Sequence, residues 1–241
     1  MSLPKIDVPT YDLTLPTTGE TLSLRPFNVR EEKLLLIALE SKDQNEIQNT
    51  VKQVVNNCIV AGKFDVNKAA FFEVDFIFIF LRAKSIGDKV AVKLTCNNVL
   101  DSGEKCANIF PAELDISNCE LVDDNHIDND IKLGDGKGVR MKYPGYSAMK
   151  RIDGGTDIDR AINIVIGSID YIYDKDGIYS SKDHTKEELQ EFVEGLTEAN
   201  FRKMEDFTQN FPSFAVRINA TCNKCGFEHS VRYTDFADFF L

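Results

Sequence analysis

Two pairs of cysteines, far apart in the sequence, constrain the fold of this chain more than any other feature. The pairs are Cys96 with Cys106, and Cys222 with Cys225. Alternating apolar residues lead into both pairs, over residues 90–96 and 214–222, so each pair is predicted to lie at the tip of a strand–turn–strand unit. We call these two units the first and the second cysteine knuckle.

Two knuckles that face each other can supply four thiolates to one tetrahedral metal ion, the arrangement of a zinc ribbon. The sequence therefore predicts one structural zinc ion per chain, with four ligands: Cys96, Cys106, Cys222 and Cys225. Gly226 directly follows the second pair and allows the backbone to turn sharply around a metal. Such an ion would join the two halves of the chain.

Other interpretations of these cysteines stay open. They can be free thiols in the core, or Cys222 and Cys225 can form a redox pair, although a redox Cys-x-x-Cys usually begins a helix after a strand. His229 can replace one cysteine as a ligand, but a surface histidine on the return strand is the favoured interpretation of that residue. Cys58 lies on an apolar helix face and is predicted to be a core residue.

Helical periodicity and capping residues predict a helical core. Asn28 with Glu31 has the pattern of a capping box, as do Thr156 with Asp159 and Thr185 with Glu188; further helices are predicted over 43–59, 67–84 and 197–211. The segment 67–84 is apolar on nearly all sides and is predicted to be the central helix. We expect its Phe76 and Phe80 to be buried.

Alternating segments around short turns predict β-hairpins at residues 7–27 and 131–143. The predicted fold class is therefore α+β, a helical core with β-hairpins and a zinc-ribbon-like pair of cysteine knuckles. No linker rich in proline, glycine or serine divides the 241 residues, so residues 1–241 are predicted to form a single domain. Within it, residues 88–112 and 213–234 form a discontinuous zinc-ribbon-like module, and residues 113–155 form an acidic insertion.

The chain carries 39 acidic and 28 basic residues, a formal net charge of −11 at pH 7. A chain this acidic is not expected to bind duplex DNA or an anionic membrane by general electrostatic attraction. Its longest apolar runs fall short of the about 20 residues that cross a bilayer, and its N-terminal segment lacks the pattern of a secretory signal. We therefore expect a soluble, intracellular protein with no nucleic-acid and no membrane partner.

No motif of a catalytic site is recognisable. The glycine-rich segment 134–138 lacks the spacing of a phosphate-binding loop, and the acidic segment that begins at Asp174 lacks the glycine that a calcium loop requires at its sixth position. None of the three histidines lies in a nucleophile–base motif. The sequence therefore predicts a protein that is not an enzyme.

A series of short motifs resembles the T4-type phage baseplate hub assembly family. In chain order they are LSLRPFNVREEKLLLIALES, VVNNCI, VDFIFIFLRAKSIGDKV, the Cys-x-x-Cys-Gly knuckle and DFADFF. The motifs are individually short, but their order and spacing together are specific. The resemblance covers residues 5–110 and 200–241.

This resemblance implies a function in assembly. The expected protein is a tail baseplate hub subunit or a hub-assembly factor that acts through protein–protein contacts while the contractile tail is built, stabilised by the structural zinc. Its partners would be other phage hub or tail proteins, or a second copy of the chain. It would be found in the cytoplasm of the infected bacterial host during assembly, or in the tail baseplate of the virion. The alternative is a zinc-ribbon or Cys-x-x-Cys redox protein or enzyme with Cys222 and Cys225 as the active thiols.

The chain ends in an apolar segment, which is unusual because chain ends fray unless they are anchored. Its candidate docking residues are Phe236, Phe239, Phe240 and Leu241. An apolar end exposed to water would promote aggregation, so we expect it to dock. Docking on the protein's own core, beside the second knuckle, is favoured; insertion into a groove on a hub subunit or a second copy is the alternative.

Overall fold

The computed structural model describes residues 7–123, 127–149 and 156–233. These residues form an α+β fold with seven α-helices and several antiparallel sheets, which confirms the predicted fold class. By spatial proximity the chain divides into two compact units. Of the described residues, the first unit contains 7–64, 72–122 and 213–233, and the second contains 65–71, 123, 127–149 and 156–212.

The described residues contain twelve strands and seven α-helices. The strands are β1 (Tyr11–Thr14), β2 (Thr21–Leu24), β3 (Ile59–Ala61), β4 (Lys89–Thr95), β5 (Ile109–Asp115), β6 (Glu120–Val122), β7 (Asp130–Gly134), β8 (Lys137–Met141), β9 (Ile169–Tyr173), β10 (Ile178–Ser180), β11 (Ser213–Thr221) and β12 (Glu228–Tyr233). The helices are α1 (Val29–Ser41), α2 (Gln44–Cys58), α3 (Phe71–Ser85), α4 (Tyr146–Met149), α5 (Asp157–Gly167), α6 (Lys186–Glu194) and α7 (Glu198–Gln209).

The first unit contains three of the antiparallel sheets. Their strand orders are β1–β2–β3, β4–β5 and β12–β11–β6. In the first sheet, side chains of one face are buried at alternate positions, as a strand with one buried face requires: Leu13, Leu15, Leu22 and Leu24. The N-cap of α1 is Asn28, whose side chain accepts from the N–H of Glu31 while the Glu31 carboxylate accepts from the N–H of Asn28. This is the predicted capping box.

Helix α3 is the most apolar helix, but its buried face differs from the prediction. Its fully buried side chains include Phe72, Ile77 and Leu81, whereas Phe76 and Phe80 are only half-buried. Phe76 instead stacks on Phe214 of β11, with ring centroids 4.3 Å apart. The ammonium group of Lys84 lies over the ring of Phe80, 5.4 Å from its centroid. The expectation of full burial was wrong because a helix that is apolar all round does not indicate which side faces the core.

The second unit has a four-stranded antiparallel sheet in the order β10–β9–β8–β7, accompanied by α4 to α7. Its core joins residues of the sheet and of the helices, among them Val139, Met141, Val165, Met204 and Phe207. Helices α5 and α6 begin with the predicted capping boxes. The acidic residues 113–155 contribute β6 to the first unit and β7, β8 and α4 to the second. Among the described residues, no helix has both the length and the apolar character to cross a membrane.

Candidate metal centre

The first knuckle is the tip of the β4–β5 hairpin. Beyond the strands, the backbone N–H of Cys96 donates to the carbonyl of Asn108 at 2.8 Å. The N–H of Cys106 donates to the carbonyl of Asn98, also at 2.8 Å. The ladder of hydrogen bonds therefore continues past the ends of the strands and places the two cysteines side by side.

The nine residues between these cysteines form a smaller hairpin of their own. Val99 and Lys105 form an isolated antiparallel bridge, and the N–H of Leu100 donates to the carbonyl of Glu104 at 2.8 Å. Gly103 closes the turn with a φ of +84°, a left-handed value that favours glycine. The wide spacing of the first pair is thus compatible with a compact knuckle.

The second knuckle is the tip of the β11–β12 hairpin. The N–H of Cys222 donates to the carbonyl of Phe227, and the N–H of Gly226 donates to the carbonyl of Cys222, both at 2.9 Å. Gly226 has a φ of +73°, so the sharp turn expected from the sequence does use the freedom of glycine. Cys225 lies at the centre of this turn.

The structure brings the two knuckles together within the first unit. All four sulfur atoms of Cys96, Cys106, Cys222 and Cys225 lie within 4.8 Å of one another. Sγ of Cys96 and Sγ of Cys225, which belong to different knuckles, are 3.6 Å apart. None of the six cysteines, all of which lie in the part of the chain that the structure describes, forms a disulfide bond.

The geometry and chemistry of this cluster fit a metal ion. A metal with four sulfur ligands at about 2.3 Å in a tetrahedron places the sulfurs about 3.8 Å apart, close to the spacing observed. Four thiolates are the soft ligands that zinc and iron–sulfur sites use. Three of the four cysteines are buried and Cys225 is half-buried, so the cluster is closed to most solvent. Four close cysteines could therefore hold one ion with no open coordination position.

The cluster is embedded in the apolar core of the first unit. Buried residues from three elements surround it: Ile79 of α3, Leu94 and Phe110 of the β4–β5 hairpin, and Val216 and Ile218 of β11. An apolar shell restricts solvent access to a metal site and lowers its dielectric constant. The cluster therefore lies where a bound ion would join the two hairpins.

The surroundings of the four cysteines raise the pKa of one thiol and lower the pKa of others. Burial raises the pKa of the Cys96 thiol to about 12. Burial also acts to raise the pKa of Cys222, but the backbone N–H groups of Cys225 and Lys224 outweigh it and lower that pKa to about 6. The N–H of Phe227 lowers the pKa of Cys225. The second knuckle thus favours thiolates, and a divalent cation would favour them in the first knuckle as well.

His229 is not the surface residue that the sequence favoured. It is 7% exposed, and its Nε2 lies 3.3 Å from Sγ of Cys96. Its ring contacts two aromatic rings, with centroid distances of 5.5 Å to Phe110 and 4.9 Å to Phe227. The interpretation was wrong because strand β12 packs this side of the knuckle against the core. His229 is a neighbour of the sulfur cluster and is not one of the four groups that converge.

Two asparagines at the cluster were not predicted from the sequence. The side-chain amide of Asn98 lies 3.7 Å from Sγ of Cys225, and that of Asn108 lies 3.4 Å from Sγ of Cys222. Each asparagine stands two residues after a cysteine of the first knuckle. This repeated Cys-x-Asn pattern is the signal that could have found them.

The remaining predicted residues lie elsewhere. Cys58 is fully buried on α2, as expected of a core residue, and burial raises the pKa of its thiol to about 12. Cys119 is half-buried and packs against the core of the first unit. The terminal docking candidates lie outside the described residues: Phe236, Phe239, Phe240 and Leu241.

These observations define the class of the protein: an α+β chain in which two hairpins meet at a zinc-ribbon-like cluster of four cysteines. The family model described as T4 bacteriophage base plate protein matches residues 8–241, nearly the whole chain. The chain belongs to this family, which confirms the resemblance inferred from its sequence motifs. Comparison with the curated proteins finds no significant match, and neither does comparison with the solved structures. Family membership supports a role in the phage baseplate, with other tail or baseplate proteins as partners.

Proposed function

We propose that this baseplate protein is a hub subunit or a hub-assembly factor that acts through protein–protein contacts during assembly of the contractile tail. We include in the proposal one structural zinc ion, bound by Cys96, Cys106, Cys222 and Cys225. Family membership supports the first part. The convergence of four sulfurs from distant segments supports the second, since Cys96 and Cys225 are 129 positions apart in the chain.

Zinc is proposed because the donor set is closed and consists of thiolates. Structural zinc sites are four-coordinate and tetrahedral, and a set of four cysteines is one of their common ligand sets. A catalytic zinc site keeps one position open for water or substrate, and four cysteine ligands would leave none. A structural ion would fix the two hairpins to each other and leave the rest of the surface for contacts with other proteins.

Metal analysis of the purified full-length chain tests the zinc. We expect about one zinc per chain, and we expect Cys225→Ser to lower that ratio strongly. Cys119→Ser is the matched control, because Cys119 is also half-buried but lies outside the four-cysteine cluster. Loss of zinc in both variants, or in neither, would contradict the proposed ligand set.

The redox alternative is favoured by the lowered pKa values of Cys222 and Cys225, since a low thiol pKa accompanies reactive cysteines. A redox pair would form a reversible disulfide between Cys222 and Cys225 in the purified protein. Tightly bound zinc that protects both thiols from alkylation would exclude this function. A metal-free protein with a measurable thiol–disulfide potential would instead establish it.

The choice between a hub subunit and an assembly factor is tested in infected cells. Affinity purification of the tagged chain during infection identifies the hub or tail proteins that it contacts. Mass spectrometry of mature particles then distinguishes the two forms of the proposal. A hub subunit remains in the virion tail, whereas a transient factor is found only with assembly intermediates in the host cytoplasm.

A further inference from the structure

Three side-chain nitrogen atoms approach sulfur atoms of the four-cysteine cluster. Nδ2 of Asn108 lies 3.4 Å from Sγ of Cys222, and Nδ2 of Asn98 lies 3.7 Å from Sγ of Cys225. Nε2 of His229 lies 3.3 Å from Sγ of Cys96. These distances are within the range of hydrogen bonds to sulfur.

All three contacts cross from one knuckle to the other. Asn98 and Asn108 belong to the first knuckle and donate to sulfurs of the second. His229 follows the second knuckle and contacts a sulfur of the first. The two hairpins are therefore linked by reciprocal hydrogen bonds as well as by the meeting of their sulfurs. The contacts fix how one knuckle faces the other.

Two of these donors are themselves held in position. The ring of His229 is buried and contacts the rings of Phe110 and Phe227, and this packing restricts its rotation. The amide of Asn108 also donates to Oδ1 of Asn223 at 2.7 Å, which orients it towards the second knuckle. Groups that are locked by packing and by a further hydrogen bond lose little freedom when they bind a ligand atom.

The chemistry of thiolates determines which atom donates the hydrogen bond in each of these contacts. Four thiolates around one divalent cation leave the site with a net negative charge, and a thiolate sulfur can only accept hydrogen bonds. The amide groups must therefore point N–H at sulfur, and the proton of His229 must be on Nε2. Hydrogen bonds to a charged acceptor are about twice as strong as neutral ones, so each donor stabilises the thiolate form of its cysteine.

We propose that His229, Asn98 and Asn108 are positioning residues of the metal centre, which hold the knuckles in register and retain the ion by donating hydrogen bonds to its thiolates. This inference rests on the proposed zinc site. It assigns a role to three residues that would not themselves bind the metal. Partners of this kind typically contribute about 10–100-fold to metal affinity.

Two substitutions remove a donor while they preserve shape. His229→Phe keeps an aromatic ring in contact with Phe110 and Phe227 but has no N–H group. Asn108→Asp keeps the size of the side chain but replaces the donating amide with a carboxylate. Asn97→Asp is the matched control: it makes the same chemical change at an exposed position of the same knuckle, and none of the sulfur contacts found among the described residues involves Asn97.

The experiment measures zinc affinity and zinc release in the full-length chain, by competition with a chromophoric chelator. We expect the zinc dissociation constant to rise about 10–100-fold in His229→Phe and Asn108→Asp, with faster release, and to stay unchanged in Asn97→Asp. Cobalt substitution gives a second readout, because loss of a hydrogen bond shifts the sulfur-to-cobalt charge-transfer band. Circular dichroism verifies that each variant is folded, and Asn98→Asp replaces any variant that is not.

The outcomes separate this inference from the zinc site on which it rests. If the wild type binds one zinc and both variants bind and release it as the wild type does, the positioning role is overturned and the zinc site stands. If Asn97→Asp weakens binding as much as Asn108→Asp does, the effect is a general one of charge and the inference is again overturned. If the wild type binds no zinc, the site and its positioning residues are overturned together.

Discussion

The guanidinium group of Arg25 and the carboxylate of Glu31 are joined by two hydrogen bonds, of 2.9 Å from Nη1 and 2.6 Å from Nη2. The carboxylate is 5% exposed and also accepts from the N–H of Asn28 at 2.8 Å, which closes the capping box of α1. Nη2 of Arg25 also donates to the carbonyl of Asn57 near the end of α2. The ion pair of Arg25 and Glu31 thus connects the end of the first hairpin with the start of α1 and the end of α2.

We predict that Glu31 makes the stability of the protein dependent on pH at the acid end. The hydrogen bond from Arg25, opposed by burial and aided by the N–H of Asn28, holds the pKa of Glu31 below its ordinary value of 4.5. Because the folded pKa is the lower one, the stabilisation is complete above pH 4.5 and is lost as the pH falls through the folded pKa. Glu31→Gln should lower the free energy of unfolding at neutral pH by about 1–3 kcal/mol.

Urea unfolding at a series of pH values measures this effect. Glu32→Gln is the control, since Glu32 is also an acidic residue in the first turn of α1. Glu31→Gln should reduce the slope of stability against pH below 4.5, whereas the control should keep the slope of the wild type. Equal slopes in the two variants would show that the ion pair of Glu31 with Arg25 does not cause the pH dependence of stability.

Removal of the proposed zinc should destabilise the chain. With free zinc at about a thousand times its dissociation constant, the bound ion adds about 4 kcal/mol to the free energy of unfolding. A loss of this size lowers the melting temperature of a chain of this length by about 8–16 °C. A strong chelator and Cys222→Ser should produce the same shift, and the chelator should have no further effect on that variant. An unchanged melting temperature would rule out a structural ion.

Two phenylalanine-to-alanine substitutions in α3 should lower the free energy of unfolding by different amounts. Phe72 is 2% exposed, so Phe72→Ala should cost about 3–5 kcal/mol by leaving a cavity. Phe76 is half-buried and stacked on Phe214, so Phe76→Ala should cost less, about 1–3 kcal/mol, because part of its ring is already in water. Chemical denaturation of both variants provides the comparison. A larger cost at Phe76 than at Phe72 would contradict the difference in burial between these two side chains.

The terminal docking hypothesis is tested by deleting Phe239, Phe240 and Leu241. If the segment docks on its own chain, the truncated protein should melt at a lower temperature and lose hub assembly only indirectly. If it docks on a partner, the melting temperature should stay the same while hub complexes disappear. Differential scanning fluorimetry and co-purification of the hub measure the two effects. A truncated protein that keeps both properties would leave the segment without either role.

Residues 1–241 are predicted to be a single domain, although two compact units are distinguishable by proximity. A single domain should unfold in one cooperative transition, with equal calorimetric and van't Hoff enthalpies. Scanning calorimetry of the zinc-loaded chain makes this measurement. Two separate transitions would show that the units are independent domains.

Local signals in the sequence predicted much of the fold. The capping boxes at Asn28, Thr156 and Thr185 involve residues three positions apart, so neighbouring side chains are sufficient to specify them. The two hairpins that carry the cysteines were predictable for the same reason, since strand alternation and turn residues are local. No local sequence pattern relates the two distant knuckles. Their convergence was predicted because four cysteine thiolates can bind one zinc ion.

Features that depend on tertiary packing were not predictable in this way. The exposure of Phe76 depends on which side of α3 meets β11, and a helix that is apolar all round gives no periodic signal for that choice. The burial of His229 depends on Phe110, which belongs to the other hairpin. Asn98 and Asn108 donate across the gap between hairpins, so their roles emerge only when both hairpins are in place.

The order of the knuckles along the chain has a consequence for synthesis. A ribosome makes the first knuckle early, then residues 107–221, and only afterwards Cys222 and Cys225. Because chains emerge from the N-terminus, the four-thiol cluster cannot assemble until Cys225, more than a hundred residues after Cys106, has been translated. A chain that ends before Cys222 carries only two of the four cysteines of the cluster. The four-thiol cluster can therefore form only in a chain that has been translated through both knuckles.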